Sequence, residues 1–406
     1  MNVPKLRFKE FNDEWTKYKL NDFLDLLTDY DANGSFADMA NNVKTYDTQN
    51  YAWYVRATDL ENNSPLDKVK YTDKESYDFL KKTALYGDEV LMAKRGNIGN
   101  VYYFKSKTKY ATLGPNCYLL KANNKIDNYF LYSYFKSTNG YKKLNRLNAS
   151  STLGALYKDD VKNINLIFPE KKEQSKISRT LEVLDKKIEL QSKKIEDLKL
   201  FKKGLDIKIF NNKKLFDVGI IKEYFESDGG TALEKYIDEK GTYNIISIGN
   251  YTPDGRYYDN GQKVIYNEKT KMKLLSKNNL AMILNDKTTT GDIIGSTILI
   301  DEDNKYIYNQ RTQKLICKKI NAEYSWCFFN SKYFRDKVFR LSQGGTQIYV
   351  NYSQIENQKI FIPKNKKIEN DIVKSIFLIT KLIDNENDKF LKLQKLKKGL
   401  MQNMFV

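Results

Sequence analysis

The sequence predicts an α+β protein built as a duplication, a globular unit followed by a long helix and then the same pair again. Three observations carry this. The stretch LFKKGLDIKIF (200–210) returns as KLKKGLMQNMF (395–405), with Lys202 and Lys397, Lys203 and Lys398, Gly204 and Gly399, Leu205 and Leu400, and Phe210 and Phe405 identical. SSTLGALYKDDVKNINLIFP (150–169) lies over GGTQIYVNYSQIENQKIFIP (344–363), each ending in an apolar run closed by proline. Heptad patterns of the same phase precede both copies of the repeated word. A fixed internal period is sought first, because missing it miscalls the whole fold.

The helices are the clearest elements. Ile177, Leu181, Leu184, Ile188, Gln191, Ile195, Leu198, Lys202 and Leu205 recur at alternating steps of four and three. Ile372, Ile376, Ile379, Ile383, Glu386, Phe390, Leu393, Lys397 and Leu400 repeat that seam, polar interruptions included. Such spacing predicts coiled-coil helices whose seams face each other. Units related by an approximate two-fold would make the helices antiparallel, and about 35 residues would span roughly 50 Å. The alternative is two amphipathic helices, each packed on its own domain. The expected divisions are 1–170, a helix over 171–211, 212–364, and a helix over 365–406.

The globular units are rich in Tyr, Phe, Ile and Val, broken by Asn, Asp and Gly. VLMA (90–93), NVYYF (100–104) and CYLLKA (117–122) predict strands, as do AMILN (281–285), STILI (296–300) and KLICKK (314–319). DNYFLYSYFKS (127–137) and YSWCFFNSKYFRDKVF (324–339) predict helices following equivalent strands. Each unit reads as a curved sheet with a helix or two against it.

Composition narrows the chemistry. The net charge of +18, from 69 Lys and Arg against 51 Asp and Glu, suggests a polyanionic partner, nucleic acid before membrane. An AT-rich genome alone would also enrich Lys, Asn, Ile and Tyr. No apolar run is long enough to cross a bilayer, and the charged start MNVPKLRFKEF does not resemble a signal peptide. The expected location is cytoplasmic. Cys117, Cys317 and Cys327 have no CxxC spacing and read as core residues. The absence of histidine removes Ser-His-Asp and Cys-His nucleophile systems and His-containing metal sites. No Asn-Pro-Pro loop, GxGxxG turn or Pro-Asp…Glu-x-Lys pattern is present, so no catalytic residue and no metal ligand is expected. Gly96 and Gly99 in GNIG read as a sheet-edge turn, and Pro253-Asp254-Gly255 as a turn.

The chain resembles the specificity subunit of type I restriction–modification systems. PKLRFKEFNDEWTKYKLNDF (4–23), AKRGNIGNV (93–101), SSTLGALYKDDVKNINLIFPEKKEQSKI (150–177) and both helices ending KKGL carry the resemblance, essentially over the whole chain. It implies two target recognition domains separated by two long helices in an antiparallel coiled coil. Each domain would read one half of a bipartite double-stranded DNA target with a fixed spacer. It also implies two methyltransferase subunits docked on the helices, with restriction/translocase subunits joining them. S-adenosylmethionine, ATP and Mg would belong to those partners, and this chain would be a non-enzymatic subunit. The rival reading is a stand-alone two-domain DNA- or RNA-binding protein without methyltransferase partners.

Major-groove reading needs planar donor forks and amides on loops, with small polar groups to grip phosphate. In the first unit the candidates are Arg56, Lys94, Arg95, Asn148, Ser150, Ser151 and Thr152. Arg56 and Arg95 either contact DNA or pair with a carboxylate. In the second unit they are Ser247, Asn250, Asn285, Lys287, Thr288, Thr289, Thr290, Arg311, Gln343, Thr346 and Gln347. There LSQGGTQ (341–347) is either an adenine-reading loop or a solvated hairpin.

Overall fold

The computed structural model describes residues 3–148 and 154–406. Its two compact units do not follow chain order. Unit 1 holds residues 1–192 together with 389–406, and unit 2 holds 193–388. Each long helix, Lys171–Asn211 and Lys366–Asn403, therefore contributes one half to each unit.

The duplication is explicit in the sheets. Unit 1 has a four-stranded antiparallel sheet ordered Leu24–Asp29, Cys117–Ala122, Val90–Ala93, Val101–Tyr103. Unit 2 repeats it as Phe225–Gly229, Thr312–Cys317, Leu280–Ile283, Thr297–Leu299. The register agrees, with Tyr118 opposite Met92 in one and Gln313 opposite Met282 in the other. Val90–Ala93 and Leu280–Ile283 are buried along their whole length. That explains their continuous apolar runs, where a half-exposed strand would alternate.

A second sheet in each unit contains one parallel pair, Ala52–Val55 with Ala111–Leu113 in unit 1 and Tyr243–Ile246 with Tyr306–Tyr308 in unit 2. Two helices follow the four-stranded sheet in both copies. Asp127 and Ser137 cap Asn128–Lys136 and Thr138–Arg146; Asn321 and Ser331 cap Ala322–Phe329 and Lys332–Leu341. The single helical run expected over 324–339 is thus two helices. Ser331 breaks it, because its hydroxyl accepts the Phe334 N–H at 3.2 Å, as an N-cap does.

Every apolar seam position named above is buried or half-buried. In unit 1, Ile177 and Leu181 share a core with Met404 and Leu400, and Asp185 pairs with Lys397. Numbers rising on one helix meet numbers falling on the other, so the helices run antiparallel there. In unit 2, Lys194 reaches Glu386 at 3.1 Å, and the Lys202 ammonium stands 5.8 Å from the Trp326 ring.

The repeated word ends in a core plug. Phe405 packs on Phe130 at 5.4 Å and Tyr134 at 6.0 Å in unit 1, where the Leu6 N–H also donates to the Asn403 carbonyl at 2.9 Å. Phe210 does the equivalent in unit 2, against Phe328 at 5.7 Å and Phe216 at 5.9 Å. Truncating a buried phenylalanine to alanine costs roughly 3–5 kcal/mol. Phe405→Ala is expected to raise hydrogen exchange in residues 3–148 and leave 216–363 unchanged, and Phe210→Ala to do the reverse.

One half-buried carboxylate supports the helix junction of unit 2. Asp206 accepts the Lys332 N–H at 2.8 Å, and burial pushes its carboxyl up to about 6, against the opposing effects of that bond and of Lys202. A raised carboxyl takes up a proton on folding. Its contribution to stability is therefore fully present below the unfolded value near 4 and is lost as pH rises to about 6. Asp206→Asn keeps the acceptor and removes the charge. Denaturant titrations should show the variant gaining on the parent between pH 4 and 6, by about 2–3 kcal/mol above pH 6.

Candidate nucleic-acid interface

The reading loops differ in sequence, but the sheet register brings equivalent segments to the same strand ends. After Val90–Ala93, the Lys94 N–H donates to the Asn116 carbonyl and the Lys94 carbonyl accepts the Leu156 N–H, both at 2.9 Å. After Leu280–Ile283, Leu284 bonds Arg311 at 2.8 Å and Val350 at 2.9 Å in the same way. Arg95 then bridges Ala155, and Asn285 pairs with Tyr349. Asn116 and Arg311 both take left-handed backbone, φ 73° and 72°. Arg95 and Asn285 thus occupy one position in the two copies, with different chemistry.

In unit 1, Arg95 is exposed and enters no ion pair among the described residues. Lys94 beside it is buried, with its ammonium 2.8 Å from Asp29 and 2.6 Å from Asp31. Its partners hold it inward at the strand end. Arg56 is half-buried and caps the helix Ala57–Glu61. Its fork lies on Asp59 at 3.0 and 2.6 Å, the carboxylate pairing left open by the sequence. That contact and burial oppose each other, and the Asp59 hydrogen bond prevails, raising the guanidinium further. Asn148 is exposed, and its side-chain oxygen accepts the Ala155 N–H at 3.2 Å. Ser150, Ser151 and Thr152 lie outside the described residues.

The RGNIG loop is held from behind. One carboxylate oxygen of Glu61 accepts from Asn97 and Asn100, each at 2.9 Å, and from the Tyr102 hydroxyl at 2.7 Å. These bonds keep the Glu61 carboxyl below its usual value, Asn97 contributing most. Gly99 has φ 91°, and a Cβ there would meet the Tyr141 ring at 2.7 Å. Only glycine allows both the left-handed turn and that approach.

In unit 2, Lys287, Thr288, Thr289 and Thr290 are exposed on a loop organised by Asp286. The Asp286 carboxylate accepts the Thr288 N–H and hydroxyl and the Ile293 N–H at 2.8–2.9 Å. Arg335, at the helix position equivalent to Tyr141, donates to the carbonyls of Asp292 at 2.7 Å, Ile294 at 2.8 Å and Pro253 at 3.1 Å. Burial lowers its guanidinium to about 10, with Asp286 and Asp292 opposing. LSQGGTQ is a hairpin, with reciprocal bonds between Gln343 and Tyr349 at 2.8 and 2.9 Å. Gln343, Thr346 and Gln347 are exposed on it, and Arg311 is exposed nearby in sheet terms. Asn285 is half-buried. Asn250, by contrast, is fully buried; it accepts from Ser247 at 2.8 Å and donates to the Tyr258 carbonyl at 2.9 Å. Ser247, half-buried, and Asn250 bond each other in a turn.

Sequence reasoning missed Phe36, which is 92% exposed. With Tyr30, Tyr54, Arg95, Pro115 and Asn116 it lines a cleft of about 690 Å³. The signal was present: Ser35 and Asp38 form a capping box, and S-x-x-D after Gly34 marks a helix start with Phe36 outside any apolar stripe. Glu61, Tyr141 and Arg335 were also missed. They position loops from remote stretches of chain, and no local pattern marks them.

Two unlike loop sets on one duplicated sheet-and-helix scaffold, in a strongly basic chain, define a two-part nucleic-acid reader. Residues 12–200 and 213–395 each match the family profile of the type I restriction modification DNA specificity domain, and the chain belongs to that family. The MjaVIII type I restriction enzyme specificity subunit of Methanocaldococcus jannaschii is 26% identical over 349 residues, covering 77% of each chain. A second protein of that organism, described as a MjaX specificity subunit, is 22% identical, covering 98% of this chain and 95% of its own. In fold, the chain is similar to the S subunit crystal structure from M. genitalium, with TM-score 0.63, 16% identity and coverage of 100% and 99%. It is also similar to a chain solved in a study of complex assembly and conformational transition of the type I R-M system, with TM-score 0.58, 11% identity and coverage of 95% and 96%. No helix among the described residues is long and apolar enough to cross a membrane.

Gly99→Ala is expected to cost about 1–3 kcal/mol through the left-handed backbone and the Tyr141 contact. Hydrogen exchange should rise at residues 94–100 and stay unchanged in unit 2.

Proposed function

We propose that this chain is the non-catalytic specificity subunit of a cytoplasmic type I restriction–modification complex, reading a bipartite double-stranded DNA target. Residues 1–170 and 212–364 act as the two readers, and the helices over 171–211 and 365–406 set the spacer. The supporting observation is one scaffold position carrying Arg95 in one copy and Asn285 in the other. A duplicated protein with identical loops would read two like half-sites; unlike loops read unlike halves. Arg95 suits guanine, and the Gln343–Gln347 hairpin suits adenine.

Two methyltransferase subunits and the restriction subunits dock on the same chain. Exposed apolar residues at equivalent helix positions support docking there: Val183 at 50% and Leu378 at 58%, Phe201 at 62% and Leu396 at 52%. S-adenosylmethionine, ATP and Mg act in those partners, which carry out adenine methylation and cleavage.

The test is genome-wide detection of methylated adenine in the host, with the gene intact and deleted. Loss of one split motif is expected on deletion. An unchanged methylome together with a tight footprint from the isolated chain would favour the stand-alone binder instead. Arg95→Ala should relax base preference in one half only, at a cost of about 1–3 kcal/mol in binding. Lys287→Ala should weaken binding evenly across sequences and lower the salt slope by about 1.

A further inference from the structure

The cleft of unit 1 that Arg95 lines carries more than an arginine. The helix Phe36–Asn42 turns one face toward it, since Phe36, Met39 and Ala40 lie three and four residues apart and all line the cleft. Met39 is anchored in a buried cluster with Tyr54 and Leu80. The helix start is fixed by a reciprocal pair. The Ser35 hydroxyl accepts the Asp38 N–H at 3.2 Å, and the Asp38 carboxylate accepts the Ser35 N–H at 2.8 Å. Phe36 is thus carried on a fixed turn, yet at 92% it is the most exposed large apolar side chain among the described residues.

Asn116 lines the same cleft, is exposed, and its side-chain amide enters no hydrogen bond among the described residues. Its place in unit 2 is held by Arg311, with the same left-handed backbone and a different side chain. Unit 2 also exposes no large apolar side chain between Phe225–Gly229 and Tyr243–Ile246, the segment equivalent to the one that carries Phe36. Phe36, Asn116 and Arg95 therefore all belong to what differs between the two copies.

These three side chains match one groove of DNA. A guanidinium fork pairs with guanine O6 and N7, an amide with adenine N6 and N7, and an apolar ring packs on the thymine C5-methyl, all at the major-groove edge. The carboxylate on the cleft wall, Asp31, is paired with Lys94 at 2.6 Å, so its charge is offset and the free charge of the cleft is that of Arg95. A cleft of about 690 Å³, taken as a sphere, is about 11 Å across, or about three base-pair steps of 3.4 Å. Groups that share it reach neighbouring base pairs.

We propose that this cleft reads an A·T pair within about three base pairs of the pair read by Arg95, with Phe36 packed on the thymine methyl and Asn116 bonded to the adenine. This rests on the functional reading above and adds one base pair of the target and the two residues that specify it. It is tested first by the adenine-methylation motif of host strains carrying Phe36→Ala or Asn116→Gly, glycine being the replacement that keeps the left-handed backbone. Each variant is expected to relax the same A·T position, near the position relaxed by Arg95→Ala, and to leave the other half-site unchanged. Deoxyuridine in place of that thymine, in a duplex carrying the motif, then removes the methyl alone. With the parent complex it should lower kcat/KM for methylation about fourfold, the loss expected for one buried methyl group; with Phe36→Ala it should change nothing. An unrelaxed motif in the Phe36→Ala strain would overturn the inference, as would equal rates on thymine and deoxyuridine with the parent, the result a ring wedged between base steps would give. Loss of partner subunits from the purified Phe36→Ala complex with the motif intact would assign the ring to a protein contact and overturn it as well. A methylome unchanged by deletion of the gene would instead overturn the functional reading beneath it.

Discussion

The structure depends on burying two long apolar seams that neither globular unit could cover by itself. A helix of this length with Leu and Ile every three or four residues cannot stand in water, and packing supplies most of a helix's stability. The chain solves this by sharing, since residues 389–406 complete unit 1 and residues 193–211 belong to unit 2. Phe405 and Phe210 finish the two cores. The core of unit 1 therefore unites Trp15 and Leu20 with Met404 and Phe405, from opposite ends of the chain. Such long-range closure is entropically slow, and unit 1 can close fully only once the last residues exist.

This rigid base lets the loops differ. Both copies end their central strands with the same backbone bonds, and both buttress the following loop from the second helix of the pair, with Tyr141 in one and Arg335 in the other. Tyr141 works by contact with a glycine, whereas Arg335 works through three carbonyl acceptors. Different loops of different length can thus be held at one scaffold position, provided each brings its own support. The glycines at 99 and 291 are part of that support, because both take left-handed backbone against a side chain of the second helix.

The repeat, the seams and the central strands were legible because they obey periods that sequence alone displays. VLMA and CYLLKA are strands at those very residues, and INLIFP and QKIFIP contain the edge strands Asn165–Phe168 and Lys359–Pro363. The break at Ser331 was missed because the helical pattern continues across it, and only a hydroxyl facing an N–H reveals the cap. The recognition residues were harder. Residue type nominates Arg56, Lys94 and Asn250, but a side chain's use depends on what lies opposite it. Asp59, Asp29 with Asp31, and the Tyr258 carbonyl are the partners those three have, and two of the three sets come from other strands or turns.

The same accounting explains what remains available for reading. Lys94, the buried cation beside the unit 1 loop, is neutralised by Asp29 and Asp31, since an unpaired charge there would be costly. Exposed among the candidates are Arg95 and Asn148 in unit 1, and Lys287, Thr288, Thr289, Thr290, Arg311, Gln343, Thr346 and Gln347 in unit 2. Net charge supplies attraction without preference. Arg95 and Asn285 hold one scaffold position with different side chains, so a common frame presents different chemistry in the two units. Divergent loops on a retained frame are what a duplicated chain acquires when its two units meet different sequences.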